Sequence, residues 1–192
     1  MSILIKSLVS LLPMAKAIRR ELTGYPRRGR IIDIGCGAGE NTALLASGAD
    51  RAVGIDIDQS RIKKAAERYP GIDFFLMDAV RTEFADGYFD AAFMVMSLHE
   101  AACASDVVSE ACRIAGEVVI IDYSRIQYGF RKRLVDLVEK EKYKRFADLN
   151  LQAEFAGCGF SLRESRRIHP ALHIYFFVRG KAGRKNSMVN IK

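Results

Sequence analysis

Apolar residues fall into short runs along this chain, separated by segments with helical spacing. Arg30–Ile34 is the first run, short and apolar enough to be a strand buried on both faces. Glu40–Ser47 follows as a helix and Ala52–Ile55 as the second strand. Ser60 opens a helix that reaches Tyr69, where Pro70-Gly71 stops it. Asp73–Met77 and Phe89–Met96 are the third and fourth strands, Ala101–Ile114 a helix, and Gly116–Ile121 the fifth strand. Leu149–Ala156 is the last helix, ended by Gly157 and Gly159. Leu162–Ile168 and Leu172–Val178 flank His169-Pro170-Ala171, a reversal tight enough to pair them antiparallel. Strands alternating with helices predict an α/β fold: a doubly wound, Rossmann-like sheet of seven strands with an antiparallel final hairpin.

The ends of the chain read differently. Leu4, Leu8, Leu11, Ala15, Ile18 and Leu22 recur at helical spacing, with Pro13 suited to a first helical turn and Gly24 to the stop. Residues 1–24 thus form an N-terminal helical cap on a single domain, 1–178. The start loosely imitates a signal peptide, but Pro13 interrupts its apolar stretch and the helical period runs through it. Residues 123–148 are polar and basic, with Phe130, Leu134, Leu137, Val138 and Tyr143 at roughly helical spacing. Two readings stand there: an amphipathic helix with a solvated charged face, or a lid over a substrate mouth. Residues 179–192 carry Arg179, Lys181, Arg184, Lys185 and Lys192 and no acid, and read as a disordered basic tail.

Charge enters the picture through that tail. The chain carries a net +7, and much of it sits in the last residues. A tail contacting RNA, helped by Arg27, Arg28 and Arg30, stands beside a plain solvated terminus. Hydrophobic residues make up 49% of the chain, yet no apolar run approaches the roughly 18 residues of a membrane span. Cys36, Cys103, Cys112 and Cys158 form no CxxC pair, which points to reduced thiols, a cytoplasmic protein and no metal site.

The densest chemical signal is Ile31-Ile32-Asp33-Ile34-Gly35-Cys36-Gly37-Ala38-Gly39. A buried strand runs into three alternating glycines, and a helix follows. Glycines there let the backbone turn sharply and approach a ligand closely. A dinucleotide fingerprint would be GxGxxG. Here the third glycine comes one position early, and Glu40 stands where the fingerprint needs glycine. A carboxylate at that helix start repels a pyrophosphate, so a cofactor without phosphates fits better. Asp56, closing the second strand 21 residues after Gly35, suits the hydroxyls of a ribose. Asp58, with Ser60, reads as the cap of the next helix. Asp78-Ala79, after the third strand, can take an adenine amino proton or be an ordinary loop.

The segments DIGCGAG, GIDID, FLMDA and FDAAFMVMSLHE, in this order and spacing, resemble motifs I to IV of class I S-adenosylmethionine (SAM) dependent methyltransferases. The closest subgroup acts on quinones, lipids and other small metabolites. The resemblance covers residues 25–122 and implies the strand order 3-2-1-4-5-7-6. It implies that Asp33, Gly35, Cys36, Gly37 and Gly39 surround the methionine moiety of SAM. It gives Asp56 and Ile57 to ribose and adenine, Asp78 and Ala79 to adenine, and Met94 to the cofactor's amino-acid end. The implied reaction is methyl transfer to a small-molecule acceptor, leaving S-adenosylhomocysteine. The rivals are an RNA methyltransferase and a non-catalytic SAM-binding regulator. His99, within Ser97-Leu98-His99-Glu100 after strand four, is either a general base or a pocket-wall or capping histidine. Asp122 and Tyr123, ending strand five, belong to the same neighbourhood.

Overall fold

The computed structural model describes residues 3–25, 29–123 and 149–180, with side chains in the first helix from Leu12 onward. Helices are α1 (Ile3–Gly24), α2 (Glu40–Ala46), α3 (Gln59–Arg68), α4 (Ala104–Ile114) and α5 (Leu151–Gly157). Strands are β1 (Arg30–Ile34), β2 (Arg51–Asp56), β3 (Asp73–Leu76), β4 (Phe89–Val95), β5 (Ala115–Tyr123), β6 (Phe160–His169) and β7 (Leu172–Arg179).

All seven strands join one sheet, ordered β3-β2-β1-β4-β5-β7-β6. The pairs from β3 to β5 are parallel, and β7 runs antiparallel to both β5 and β6. This is the order the sequence implied. Both faces of the central strands are covered, which is why they read as continuous apolar runs. Ile32, Ile34, Ala92, Met94, Val118 and Ile120 meet α4 and α5 through Val108, Ala111 and Phe155. Ile31, Ala91, Phe93, Val95, Val119 and Ile121 meet α1 and α2 through Leu22 and Leu45.

Three sequence expectations need correction. Pro13 lies inside α1, ten residues from its start at Ile3, rather than in the first turn. The helix tolerates the loss of one N–H because neighbouring turns on both sides remain bonded. Ala15 faces outward, and Ala17 and Leu22 are buried with Met14 and Ile18 packed beside them. The helix expected from Ala101 begins three residues later. A single 3-10 turn spans Leu98–Glu100, Ala101 and Cys103 are extended, and α4 begins at Ala104. The expected lid falls almost wholly on residues 124–148 and the expected tail on residues 181–192, outside the described residues, as do Arg27 and Arg28.

Two polar links tie peripheral pieces to this core. Arg179, at the end of β7, donates to the carbonyls of Cys112 and Ala115 and so satisfies the end of α4. Glu110 on α4 accepts from the Thr82 N–H and hydroxyl, both at 2.6 Å, and from Arg113 at 2.7 and 2.8 Å. These bonds hold the Glu110 carboxyl down to a pKa of about 2, against the burial that opposes its charge. They anchor the loop between β3 and β4. Glu110→Ala is expected to cost about 2–3 kcal/mol in urea unfolding, the scale of buried hydrogen bonds to a charged group. A loss under about 0.5 kcal/mol, the range of ordinary surface changes, would show that other contacts hold the loop.

Candidate functional site

The turn after β1 is bonded to the end of β2. The N–H groups of Gly35 and Cys36 both donate to the Ile55 carbonyl, at 2.8 and 2.9 Å. The Gly37 N–H donates to Asp56 Oδ2 at 2.8 Å, and the Asp58 N–H to Asp56 Oδ1 at 2.9 Å. Asp58 in turn caps α3, accepting from Ser60 and Arg61 N–H. The Asp56 carboxylate is therefore oriented by backbone on both oxygens. Each oxygen still has a second lone pair for a ligand donor.

Two glycines make this turn possible. Gly35 has φ +75, and a Cβ there would lie 2.5 Å from Ser97 Cβ. Ser97 fills that space and donates its hydroxyl to the Ile34 carbonyl at 2.7 Å, tying the ends of β1 and β4. Gly37 has φ +56 and open space where a Cβ would project. That opening lets a ligand approach the main chain.

A cavity of about 520 Å³ opens at the carboxyl ends of β1, β2 and β4. Strand order reverses between β1 and β4, which is where open α/β sheets bind ligands. The volume lies in the usual range for small-molecule sites. Gly35, Asp56, Ile57, Asp78 and Ala79 line it. Ile57 is 73% exposed, an apolar side chain held out beside the opening. One Asp78 oxygen accepts from the Val80 N–H at 3.0 Å, which fixes the carboxyl in its loop.

The other residues singled out from the sequence lie behind this wall. Asp33 is buried and accepts from the Thr42 hydroxyl at 2.6 Å, joining β1 to α2. Burial pushes its pKa up to about 7; the Thr42 bond opposes the rise and the Asp56 charge adds to it. Cys36 is buried close to Gly54, and burial raises its thiol far above the usual range. Gly39 forms the N-cap of α2 and fits against Phe74 and Tyr69. Met94 is fully buried among the residues facing α4 and does not reach the cavity. Met96 lines the wall instead, two residues on, where the chain leaves β4 with φ 56. Met96 and Arg61 are lining residues that sequence reasoning missed.

The lining is acidic. Asp56, Asp58, Asp78 and Glu100 face it, against the Arg61 guanidinium, whose Nε lies 3.6 Å from Asp58. Such a lining in a chain of net +7 favours a cation and opposes a phosphate.

Beside the cavity is a second polar group of residues. His99 is 4% exposed and Asp122 is fully buried. His99 Nδ1 lies 2.8 Å from Asp122 Oδ1, and the His99 N–H donates to Oδ2 at 3.2 Å. The Tyr123 N–H also donates to Asp122, at 2.8 Å, and its ring meets the imidazole edge-on at 4.8 Å. Glu100 Oε1 lies 4.0 Å from His99 Nε2. Among the described residues, no group of three or more His, Cys, Asp or Glu could hold a metal, and no helix is long and apolar enough to cross a membrane.

Residues 31–118 match a family of methyltransferase domains, from the start of β1 into β5. A demethylmenaquinone methyltransferase of Beutenbergia cavernae is 31% identical over 98 residues, 50% of this chain and 41% of that protein. A ubiquinone/menaquinone biosynthesis C-methyltransferase of Desulfotalea psychrophila is 30% identical over 124 residues, 56% of this chain and 50% of that protein. The chain thus spans about half the length of these curated relatives or less. In fold it is similar to the magnesium protoporphyrin IX methyltransferase of Synechocystis, solved with S-adenosylhomocysteine bound. That match has a TM-score of 0.69 at 15% identity and covers 88% of this chain and 84% of that one.

Asp33 sets a pH dependence that can be measured. Its folded pKa, about 7, exceeds the ordinary value of 3.8. The folded state therefore holds a proton that the unfolded state releases first. This contribution is complete below the unfolded pKa and is lost as pH rises to the folded one. Asp33→Asn is expected to gain stability relative to the parent between pH 4 and 7, roughly the window between the two pKa values, with no further gain above it. Urea unfolding of both proteins across that range checks it; a constant difference would place the Asp33 pKa near its ordinary value.

Proposed function

We propose that this chain, whose residues 31–118 match a family of methyltransferase domains, binds SAM and transfers its methyl group to a small-molecule acceptor. The observation that carries this reading is the Asp56 carboxylate, held by the backbone of the glycine turn and facing the cavity. A ribose diol is the natural partner for two oriented oxygens with spare lone pairs. Ile57 and Ala79 supply apolar walls for an adenine, and Asp78 an acceptor for its amino group. The opening at Gly37 suits a ligand chain lying along the turn. SAM is cationic at sulfur and nitrogen, which suits the acidic lining; a pyrophosphate does not.

When bound, the cofactor supplies an activated methyl group on a sulfonium. The chain's own residues then bind, orient and exclude water. In-line placement of an acceptor at about 3–3.5 Å supplies much of the rate through proximity. Ser97 ties the ends of β1 and β4 together and so holds that part of the cavity wall in place. The two curated relatives carry names from quinone methylation, which supports a small aromatic or lipid acceptor. RNA is the second acceptor class only through the basic residues 179–192 and Arg27, Arg28 and Arg30, and the acidic cavity argues against it. The free cysteines among the described residues fit a reducing, cytoplasmic setting.

Calorimetric titration tests the cofactor: SAM and S-adenosylhomocysteine bind, SAM more tightly at low salt, and NAD does not. Asp56→Ala is expected to weaken SAM by about 1–3 kcal/mol, the scale of lost charge-assisted hydrogen bonds. NAD binding without a SAM signal would overturn the reading, and unchanged SAM affinity in a folded Asp56→Ala protein would remove Asp56 from it.

A further inference from the structure

We propose that Cys112 and Cys158 are a redox couple, which hydrogen peroxide closes into a reversible disulfide that weakens the cofactor site through α4. The effect on the site rests on the SAM-binding reading above; the disulfide itself does not.

The backbone brings the two residues together. Cys112 lies in the last turn of α4 and is buried. Cys158 follows the last residue of α5, is half-buried, and packs against the same apolar cluster. Two consecutive residues at the end of β7 hold both places. Arg179 donates to the Cys112 carbonyl. The Gly180 N–H donates to the carbonyl of Gly159, next to Cys158, at 2.9 Å. The Arg179 guanidinium also sits over the Phe160 ring, 4.8 Å from its centroid. Within this frame the side chains meet. Burial raises the Cys112 thiol far above its usual range, and the Cys158 thiol, hydrogen-bonded to it, adds to the rise; the Arg179 charge opposes it. Both thiols are free. The other two cysteines lie elsewhere, Cys36 behind the glycine turn and Cys103 at the cavity.

The chemistry balances. Cys158, the more accessible of the two, attacks peroxide. The O–O bond breaks, Cys158 becomes a sulfenic acid, and its proton leaves with the other oxygen as water. The Cys112 sulfur then attacks the sulfenic sulfur. The S–S bond forms, the S–O bond breaks, and the Cys112 proton leaves with that oxygen as a second water. Two thiols are oxidised and one peroxide is reduced. A buried thiol is inert toward oxidant in bulk water, so Cys112 reacts only with a partner set against it. Disulfide sulfurs lie at about 2.05 Å, closer than a hydrogen-bonded pair, so closure draws α4 toward the turn at Cys158. That turn is tethered at Gly159, and α4 takes up part of the movement. Glu110 and Arg113 flank Cys112 on α4 and hold Thr82 and Asp86. These two residues belong to the loop that begins with Asp78 and Ala79 in the cavity wall. Val107, on the same helix, lines the cavity directly.

The experiment treats the full chain with hydrogen peroxide, beside a control kept in dithiothreitol, and reads the crosslinks from a non-reducing peptide map. The expected product is an intramolecular link between the Cys112 and Cys158 peptides. It should vanish on adding dithiothreitol and be absent from Cys158→Ser. SAM affinity, measured by calorimetry, is expected to fall at least about fivefold on oxidation, the lower end of ordinary coupling between sites. Peroxide should leave the SAM affinity of Cys158→Ser where it was, and Cys112→Ala should behave in the same way. Both thiols still open to alkylation after peroxide, or links that join them only to Cys36 or Cys103, overturn the proposal. So does a 112–158 disulfide with SAM affinity unchanged. An equal loss of affinity in oxidised Cys158→Ser also overturns it, by assigning the effect to another thiol. Failure of the reduced parent protein to bind SAM is a different result: it removes the SAM-binding reading and leaves the crosslink to be judged from the peptide map.

Discussion

The Ile55 carbonyl and the Asp56 side chain, at the end of β2, hold the glycine turn, and much of the site depends on that arrangement. Ile55 accepts from two successive N–H groups of the turn, and Asp56 accepts from a third. A turn made of Gly35, Cys36 and Gly37 has little side chain with which to secure itself. Its shape is set by the neighbouring strand, which the parallel pairing of Ile34 with Ile55 brings alongside. The same bonds aim the Asp56 carboxylate, so the element that binds and the element that shapes the turn are one. Ser97 completes the arrangement from the other side by occupying the space that the missing Gly35 side chain leaves.

The protein treats its buried and cavity-facing carboxylates differently. Asp33 sits in the core with one hydroxyl for company and resists ionisation. Glu110 has a guanidinium and two Thr82 donors and stays charged to low pH. Asp122 has backbone donors and an imidazole. Asp56, Asp58, Asp78 and Glu100 face the cavity, where a cation can share them. The differences come from the donors each one is given, since all are aspartates or glutamates of similar intrinsic acidity.

The fold was legible because its signals are local. Strands covered on both faces read as unbroken apolar runs, glycines and prolines mark the turns, and the 169–171 reversal marks the final hairpin. The cavity wall was legible where it follows directly from a strand end, as at Gly35, Asp56 and Asp78. It was not legible at β4. Phe89–Val95 is apolar on both faces, so alternation says nothing about which side of the sheet Met94 takes. Its face belongs with Ala92, toward α4, and the chain reaches the cavity at Met96 only by adopting an uncommon backbone angle. The bond between His99 and Asp122 crosses from one strand end to the next, 23 residues apart, and no periodicity encodes such a contact. Pro13 misled for the opposite reason: it is a strong local signal that the surrounding helix overrides.

The place of β7 has a consequence for how the chain is made. This strand comes last in the described sequence yet lies between β5 and β6, pairing with β5 from Glu117 to Tyr123. Until Arg179 has left the ribosome, the apolar edge of β5 has no neighbour, and α4 lacks the guanidinium that closes its carboxyl end. Between the synthesis of β5 and that of β7 the nascent chain holds an open sheet edge, the condition under which strands pair with the wrong partner. The parallel half can form as it emerges, but the sheet is sealed only by an insertion after translation of nearly the whole fold. Folding of this protein is thus expected to finish in one late, non-local step.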